Sequence, residues 1–249
     1  MSAAVVVTRD EPADGPLSRE LRALGLEVLG WPVLSIGPAA NGAALDQALS
    51  RLNQFDWLVF ASQHAVAEVV RRVPVPPAYL NIAAVGARTA QVLTAAGWSV
   101  AAVPEEQTAE GLVALLAARL NPGMTVLFVA GSRSLPTLHE GLNAAGAVVT
   151  QVEAYATLPG TLDIPTCQQR VAQGDIGAVT FTSPSAVEEL DRALGTTLFN
   201  QLLGTATAIT LGTTTGRKLA ARGFASVLAM PATLMGMAHT TLRFIQTRA

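Results

Sequence analysis

Residues 125–134 read Thr125-Val126-Leu127-Phe128-Val129-Ala130-Gly131-Ser132-Arg133-Ser134, and the chain continues as LPTLHEGLNAAGAVVTQVEAY to Tyr155. The run Thr125–Ala130 is short, apolar and rich in Val and Phe, the pattern of a strand buried on both faces. Glycine and polar residues follow it. Leu138 to Leu142 then carry helical spacing, and Gly146 closes that segment as a C-terminal glycine. Ala147–Ala154 is a second apolar run, with Tyr155 at its end. Strand, loop, helix and strand in this order make the repeating unit of a parallel sheet.

The same punctuation recurs along the chain. Ala3–Thr8, Trp57–Ala61, Asn81–Val85, Gly177–Thr182 and Ala206–Leu211 read as further buried strands. Leu17, Leu21 and Leu24 precede Gly25, and Ala90-Gln91-Val92-Leu93 precedes Gly97, each glycine ending a helix-like segment. The alternation predicts an α/β fold whose parallel sheets carry helices on both faces.

The halves repeat. Phe60-Ala61-Ser62-Gln63-His64-Ala65-Val66 matches Phe181-Thr182-Ser183-Pro184-Ser185-Ala186-Val187 at an offset of 121, which also aligns Leu17, Leu21, Gly25 and Val28 with Leu138, Leu142, Gly146 and Val149. Gly86, Thr89 and Gly97 align with Gly212, Thr215 and Gly223 at 126, and Thr108 and Gly111 with Thr233 and Gly236 at 125. Four matches in order indicate duplication. Trp31–Ala39 and Tyr155–Pro165 hold clustered Pro and Gly and read as connections.

Composition narrows the function. Of 249 residues 50% are hydrophobic and only 14% charged, with a formal charge of −2, where ordinary domains carry about 25% charged residues. Neither duplex nucleic acid nor an anionic membrane is an expected partner of so balanced a surface. The uncharged stretches Ala193–Gly216 and Gly223–Leu242 are too rich in polar residues and Pro to span a bilayer, and the first residues lack the pattern of a secretory leader. A cytoplasmic protein is expected. Cys167 is the single cysteine, and His64, His139 and His239 share no ligand spacing, so neither a disulfide framework nor a metal site is expected.

Familiar nucleotide, metalloprotease and nucleophile-elbow motifs are absent. What recurs is a glycine or hydroxyl directly after a strand: Thr8-Arg9, Ser62-Gln63, Gly86-Ala87-Arg88-Thr89, Gly131-Ser132-Arg133-Ser134, Thr182-Ser183-Pro184-Ser185 and Gly212-Thr213-Thr214-Thr215. In doubly wound sheets ligands sit outside the carboxyl ends of the strands. Helix N-termini there present unpaired N–H groups to anions. The alternative reading of each position is an ordinary helix cap, since Ser and Thr are preferred there. Arg9, Arg88 and Arg133, at strand ends, are candidate carboxylate contacts. Tyr155 ends an apolar strand, and a phenol holds a proton that it can donate to a departing oxygen; its partner in the repeat is Leu34.

Trp57-Leu58-Val59-Phe60-Ala61-Ser62, Val85-Gly86-Ala87-Arg88-Thr89-Ala90, Val152-Glu153-Ala154-Tyr155, Phe181-Thr182-Ser183-Pro184-Ser185-Ala186-Val187 and Leu211-Gly212-Thr213-Thr214-Thr215, taken as an ordered set, resemble the uroporphyrinogen-III synthase family. Gly216 departs from the usual Ala, and Thr213 from a common Pro. The resemblance implies two doubly wound parallel-sheet (flavodoxin/Rossmann-like) domains joined by a two-stranded linker, with the cleft between them as the site. It sets domain 1 at 1–34 and 165–249, domain 2 at 40–154, and linkers at 35–39 and 155–164. It implies cyclisation of hydroxymethylbilane to uroporphyrinogen III, with loss of water, inversion of ring D and no cofactor, by a protein expected to be monomeric.

By position, Tyr155 matches the family tyrosine proposed to assist hydroxyl departure, and Thr89, Ser183 and Thr214 match polar residues lining the cleft. The expected substrate contacts are Thr8, Arg9, Ser62, Gly86, Thr89, Gly131, Ser132, Arg133, Ser183, Ser185, Gly212, Thr214 and Thr215. A non-catalytic two-lobed receptor for an anionic metabolite would share these features. A two-domain glycosyltransferase-like enzyme would also need a nucleotide pattern, which the sequence lacks.

Overall fold

A computed structural model of the chain describes residues 4–247; Ala3, the expected start of the first strand, lies outside the described residues. In chain order the elements begin β1 (Ala4–Val7), α1 (Pro16–Ala23), β2 (Val28–Gly30), β3 (Leu34–Pro38), α2 (Gly42–Leu49), β4 (Trp57–Phe60), α3 (Gln63–Arg72), β5 (Asn81–Ala84) and α4 (Ala87–Ala95). They continue α5 (Ala109–Ala117), β6 (Thr125–Gly131), α6 (Thr137–Ala144), β7 (Val148–Pro159), α7 (Ile164–Gln173), β8 (Ile176–Phe181) and α8 (Pro184–Leu194). The last are α9 (Thr196–Thr205), β9 (Thr207–Thr210), α10 (Thr213–Ala220), β10 (Ser226–Leu228) and α11 (Leu234–Gln246). Among the described residues no helix is long and apolar enough to cross a membrane.

The chain divides into two compact units and passes between them twice, after Ser35 and after Thr157. The first unit holds a sheet of order β2-β1-β8-β9-β10 in which every neighbouring pair is parallel. The second holds β3-β7-β6-β4-β5, with the β7/β6, β6/β4 and β4/β5 pairs parallel.

Alternation along each strand explains the layers. Val5 and Val7 pack with Leu17 and Leu21 of α1 and Met237 of α11, whereas Val6 packs on the other face with Val187 and Leu190 of α8. In the second unit Leu58 and Phe60 face Val66 and Val69 of α3, while Trp57 and Val59 face Leu112, Leu116 and Leu138. Each such buried side chain contributes about 1.5–3 kcal/mol relative to exposure, so strands this short hold without long ladders. Gly25, Gly97 and Gly146 end their helices at φ of 79°, 80° and 93°, in the left-handed region glycine enters without a Cβ clash.

The registers follow the sequence repeat. Val5 pairs Val28 as Val126 pairs Val149, Val7 pairs Thr180 as Phe128 pairs Val59, and Val179 pairs Ala208 as Leu58 pairs Ile82. Val227 beside Ile209 is matched by the bridge of Ala102 to Ala83. Each sheet therefore takes strands from both halves of the chain. The first unit has the doubly wound 2-1-3-4-5 order. The second lays β7-β6-β4-β5 as the first lays β2-β1-β8-β9, with β3 added at the edge. The switch points are β1/β8 in the first unit and β6/β4 in the second.

The two proline-rich segments differ from plain connections. Leu34–Pro38 forms edge strand β3, where a proline without an N–H is tolerated. Trp31 and Val33 are buried in the first unit's core. Strand β7 runs through Tyr155 to Pro159, twelve residues in all.

Candidate functional site

At the switch point of the second unit β4 and β6 lie side by side, and Ser62 and Gly131 stand at their carboxyl ends. Ser62 is the N-cap of α3: its backbone is extended and its Oγ accepts from the His64 N–H at 3.1 Å. The ordinary helix-cap reading of this serine is therefore correct, and it does not exhaust the residue. The Tyr155 phenol donates to the same Oγ at 3.0 Å.

A bulge brings Tyr155 there. Along β6 and β7 Ala130 pairs Glu153, but Gly131 pairs Tyr155, so Ala154 is an extra residue on β7. Simple alternation would send Ala154 and Tyr155 to opposite faces. With the bulge both pack on the α3 side of the sheet, the re-aiming that bulges provide. The ring lies over Gly131, where a Cβ would fall 2.5–2.8 Å from the phenol carbons and oxygen. The His64 ring covers it at a centroid distance of 5.4 Å. Tyr155 and Ser62 are half-buried and His64 is partly exposed beside them.

Other predicted residues of this unit serve mixed ends. Ser132 Oγ accepts from the Thr157 N–H at 2.9 Å, and the Ser132 N–H donates to the Tyr155 carbonyl at 3.0 Å; Ser132 thus secures the strand that carries the phenol. Arg133 stands in the loop after β6. Gly86 caps α4 without a side chain, and Thr89 is buried in that helix's first turn. The Ala87 N–H donates to Gln107 Oε1 at 2.8 Å, so a side-chain amide occupies the start of α4. Gln107 lies far along the chain in an exposed loop, and nothing in the sequence pattern pointed to it.

At the first unit's switch point the hydroxyls turn inward. Thr8 Oγ1 donates to the Thr180 carbonyl at 2.7 Å, and Thr180 Oγ1 donates to the Val6 carbonyl at 3.0 Å. Arg9 Nε lies 3.2 Å from Glu11 Oε2. The Glu11 carboxylate also accepts from the N–H groups of Ser18 at 2.6 Å and Leu17 at 3.3 Å. An internal carboxylate thus fills the start of α1, favoured by the helix dipole. Sequence reading missed Glu11 because its partners lie across a loop.

Ser183 caps α8 by accepting from the Ala186 N–H at 3.3 Å, and its Oγ lies 3.0 Å from that of Ser185. Gly212 caps α10; Thr214 is exposed and Thr215 buried. No phenol matches Tyr155 here, since the aligned residue is Leu34.

A cavity of about 410 Å3 in the second unit runs along α3, with Ile36, His64, Glu68, Arg71, Arg72 and Tyr155 in its wall. Its charges are internally paired. Arg71 meets Glu68 at 2.9 Å, Arg72 also pairs with Glu68, and Arg72 Nε reaches Asp46 at 2.7 Å. Hydrogen bonds from Arg72 and then Arg71 hold the Glu68 carboxyl below the usual carboxylate range. Two of these wall residues also bond to Ser62 at the switch point, Tyr155 through its phenol and His64 through its N–H. Among the described residues no three His, Cys, Asp or Glu lie close enough to hold a metal ion.

The profile of the HEM4 family, uroporphyrinogen-III synthase HemD, matches residues 15–239. The chain is 32% identical to a uroporphyrinogen-III synthase of Synechococcus elongatus, over 78% of this chain and 75% of the relative. It is 30% identical to a uroporphyrinogen-III synthase of Chlorobaculum parvum, over 88% and 89%. Among solved structures, a mutant uroporphyrinogen III synthase of the extreme thermophile Thermus thermophilus is similar, with a TM-score of 0.69 at 22% identity over 98% of this chain and 100% of the other. A uroporphyrinogen-III synthetase of Helicobacter pylori gives 0.63 at 17% over 98% and 99%. At these identities the structures speak for the fold.

Proposed function

The chain belongs to the uroporphyrinogen-III synthase family, and from that premise we propose how its residues perform the family's reaction, closure of hydroxymethylbilane to uroporphyrinogen III with loss of water and inversion of ring D. The observation that carries the reading is the phenol of Tyr155, bonded to Ser62 at 3.0 Å at the carboxyl ends of β6 and β4. A linear tetrapyrrole closes spontaneously without inversion, so the protein's main task is to hold one conformation of a reactive chain while its terminal hydroxyl leaves. That task needs a proton source and many positioned donors rather than a charged catalytic cluster.

The donors come from the strand ends. Gly86, Ser132 and Arg133 in the second unit, with Arg9, Ser183, Ser185, Gly212 and Thr214 in the first, supply N–H, hydroxyl and guanidinium groups for the substrate carboxylates. Gly131, whose N–H already donates to Ser134 Oγ at 3.2 Å, instead makes room for the phenol. Thr8, Thr89 and Thr215 are buried and act from behind, by holding these loops in place. Tyr155 provides the proton for the departing hydroxyl. The test is direct. Purified protein is given hydroxymethylbilane, the products are oxidised, and the porphyrin isomers are separated. Type III product above the spontaneous background is expected; type I alone at the spontaneous rate overturns the reading.

A further inference from the structure

We infer that the Tyr155 proton reaches the departing hydroxyl through Ser62, which is the group that touches the leaving oxygen, with Tyr155 behind it as the proton reserve. The inference rests on the reaction proposed above and deepens it.

The argument is one of hydrogen-bond capacity. A serine hydroxyl has two acceptor positions and one hydrogen. Ser62 Oγ accepts from the Tyr155 phenol at 3.0 Å and from the His64 N–H at 3.1 Å, so both acceptor positions are filled. Among the described residues its own hydrogen goes to no protein acceptor, and the side chain is half-buried rather than sealed. The phenol hydrogen, by contrast, is already directed at Ser62, and the phenol is pressed over Gly131. The free donor of the pair is therefore the serine. It stands at the N-terminus of the ten-residue helix α3, whose dipole favours a hydroxyl that gives up its proton.

The repeat separates this arrangement from ordinary capping. Ser183, the aligned residue, caps α8, and Leu34 stands where Tyr155 would be. The fold needs the serine in both units; the phenol bonded to it is an addition in one.

The step balances. The C–O electron pair leaves with the oxygen, which takes the Ser62 proton and departs as water. Ser62 recovers a proton from Tyr155. The phenolate offsets the cationic pyrrole-methylene, and it regains its proton when the attacked pyrrole carbon loses one on closure.

The test compares Ser62→Asp, Ser62→Thr, Tyr155→Phe and the Ser62→Asp/Tyr155→Phe double variant for kcat of type III formation, isomer ratio, melting temperature and proton inventory in mixed light and heavy water. Aspartate keeps the cap and can accept from both partners, yet as a carboxylate has no hydrogen to give. Ser62→Asp is expected to melt like the wild type and lose roughly a hundredfold in kcat, the ordinary worth of a positioned acid. Ser62→Thr should recover most of the rate, and the double variant should be no slower than Ser62→Asp. The wild-type inventory should be curved, with two protons moving, and that of Tyr155→Phe linear. Full activity in Ser62→Asp, or a linear wild-type inventory, overturns the relay while leaving the reaction intact. A wild type that makes only type I overturns the reaction, and the relay with it.

Discussion

Gly131 lies beneath the Tyr155 phenol so closely that a Cβ on residue 131 would sit 2.6 Å from the phenolic oxygen. The glycine is chosen by the tyrosine's position, through close approach rather than through any unusual backbone angle. Gly131→Ala is expected to push the ring away and break its bond to Ser62. Kinetics with hydroxymethylbilane should show kcat down by about tenfold to a hundredfold, with more type I product. Gly30→Ala, where nothing lies within 4 Å of the new carbon, should leave the rate unchanged.

The repeat predicts a matched pair of stability effects. Thr108 Oγ1 accepts from the Gly111 N–H and Thr233 Oγ1 from the Gly236 N–H, both at 3.0 Å. A Cβ at Gly111 would collide with the Glu106 carbonyl, and one at Gly236 with the Pro231 carbonyl. Backbone cannot rotate away as a side chain can. Gly111→Ala and Gly236→Ala should each lose about 1–3 kcal/mol or more in denaturant titrations. Gly42→Ala, at an open position in the first turn of α2, should be neutral or gain up to about 1 kcal/mol.

Acid should loosen the protein through its arginine-held carboxylates. Glu68, bonded by Arg72 and Arg71, and Glu27, bonded by Arg170, both have their carboxyls held below the ordinary value of 4.5. A depressed carboxyl stabilises the fold above its unfolded value and loses that contribution as pH falls through its folded value. Denaturation midpoints should therefore drop below about pH 4.5, and Glu68→Gln should make that decline shallower. An unchanged acid limb in that variant would remove Glu68 from the account.

Cys167 should resist thiol reagents at neutral pH. Burial, and secondarily the charge of Asp163, push its thiol up to about 11, and the thiolate is the reactive form. Labelling is expected to be slow in the native protein and complete on unfolding. Because the folded value exceeds the unfolded one near 9.0, this group's contribution is full below about pH 9 and is lost as pH rises towards about 11.

Much of the architecture is legible along the chain because its causes are local. Val126, Phe128 and their neighbours can only be a strand buried on both faces, and Gly25, Gly97 and Gly146 mark helix ends by a backbone freedom that belongs to the residue itself. The duplication was legible too, as Ser62 against Ser183 and Gly111 against Gly236. Ser62 and Ser183 as caps follow from residue type and position alone.

What only the tertiary structure decided depends on partners distant in sequence. Alternation places Ala154 and Tyr155 on opposite faces; the bulge opposite Gly131 puts both on one, and it exists because β6 and β7 pair in that register. Tyr155 and Ser62 are 93 residues apart, and their hydrogen bond requires β7, β6 and β4 to be neighbours. Glu11 at the start of α1 and Gln107 at the start of α4 are likewise choices of packing, since a carboxylate or amide anywhere nearby could have filled those donors. By itself the sequence determined the strands, the helices and the residue types at their ends, because these answer to periodicity and backbone sterics. Which strand ends meet, and which hydroxyl keeps a hydrogen to give, was decided by a sheet order that draws each unit from both halves of the chain.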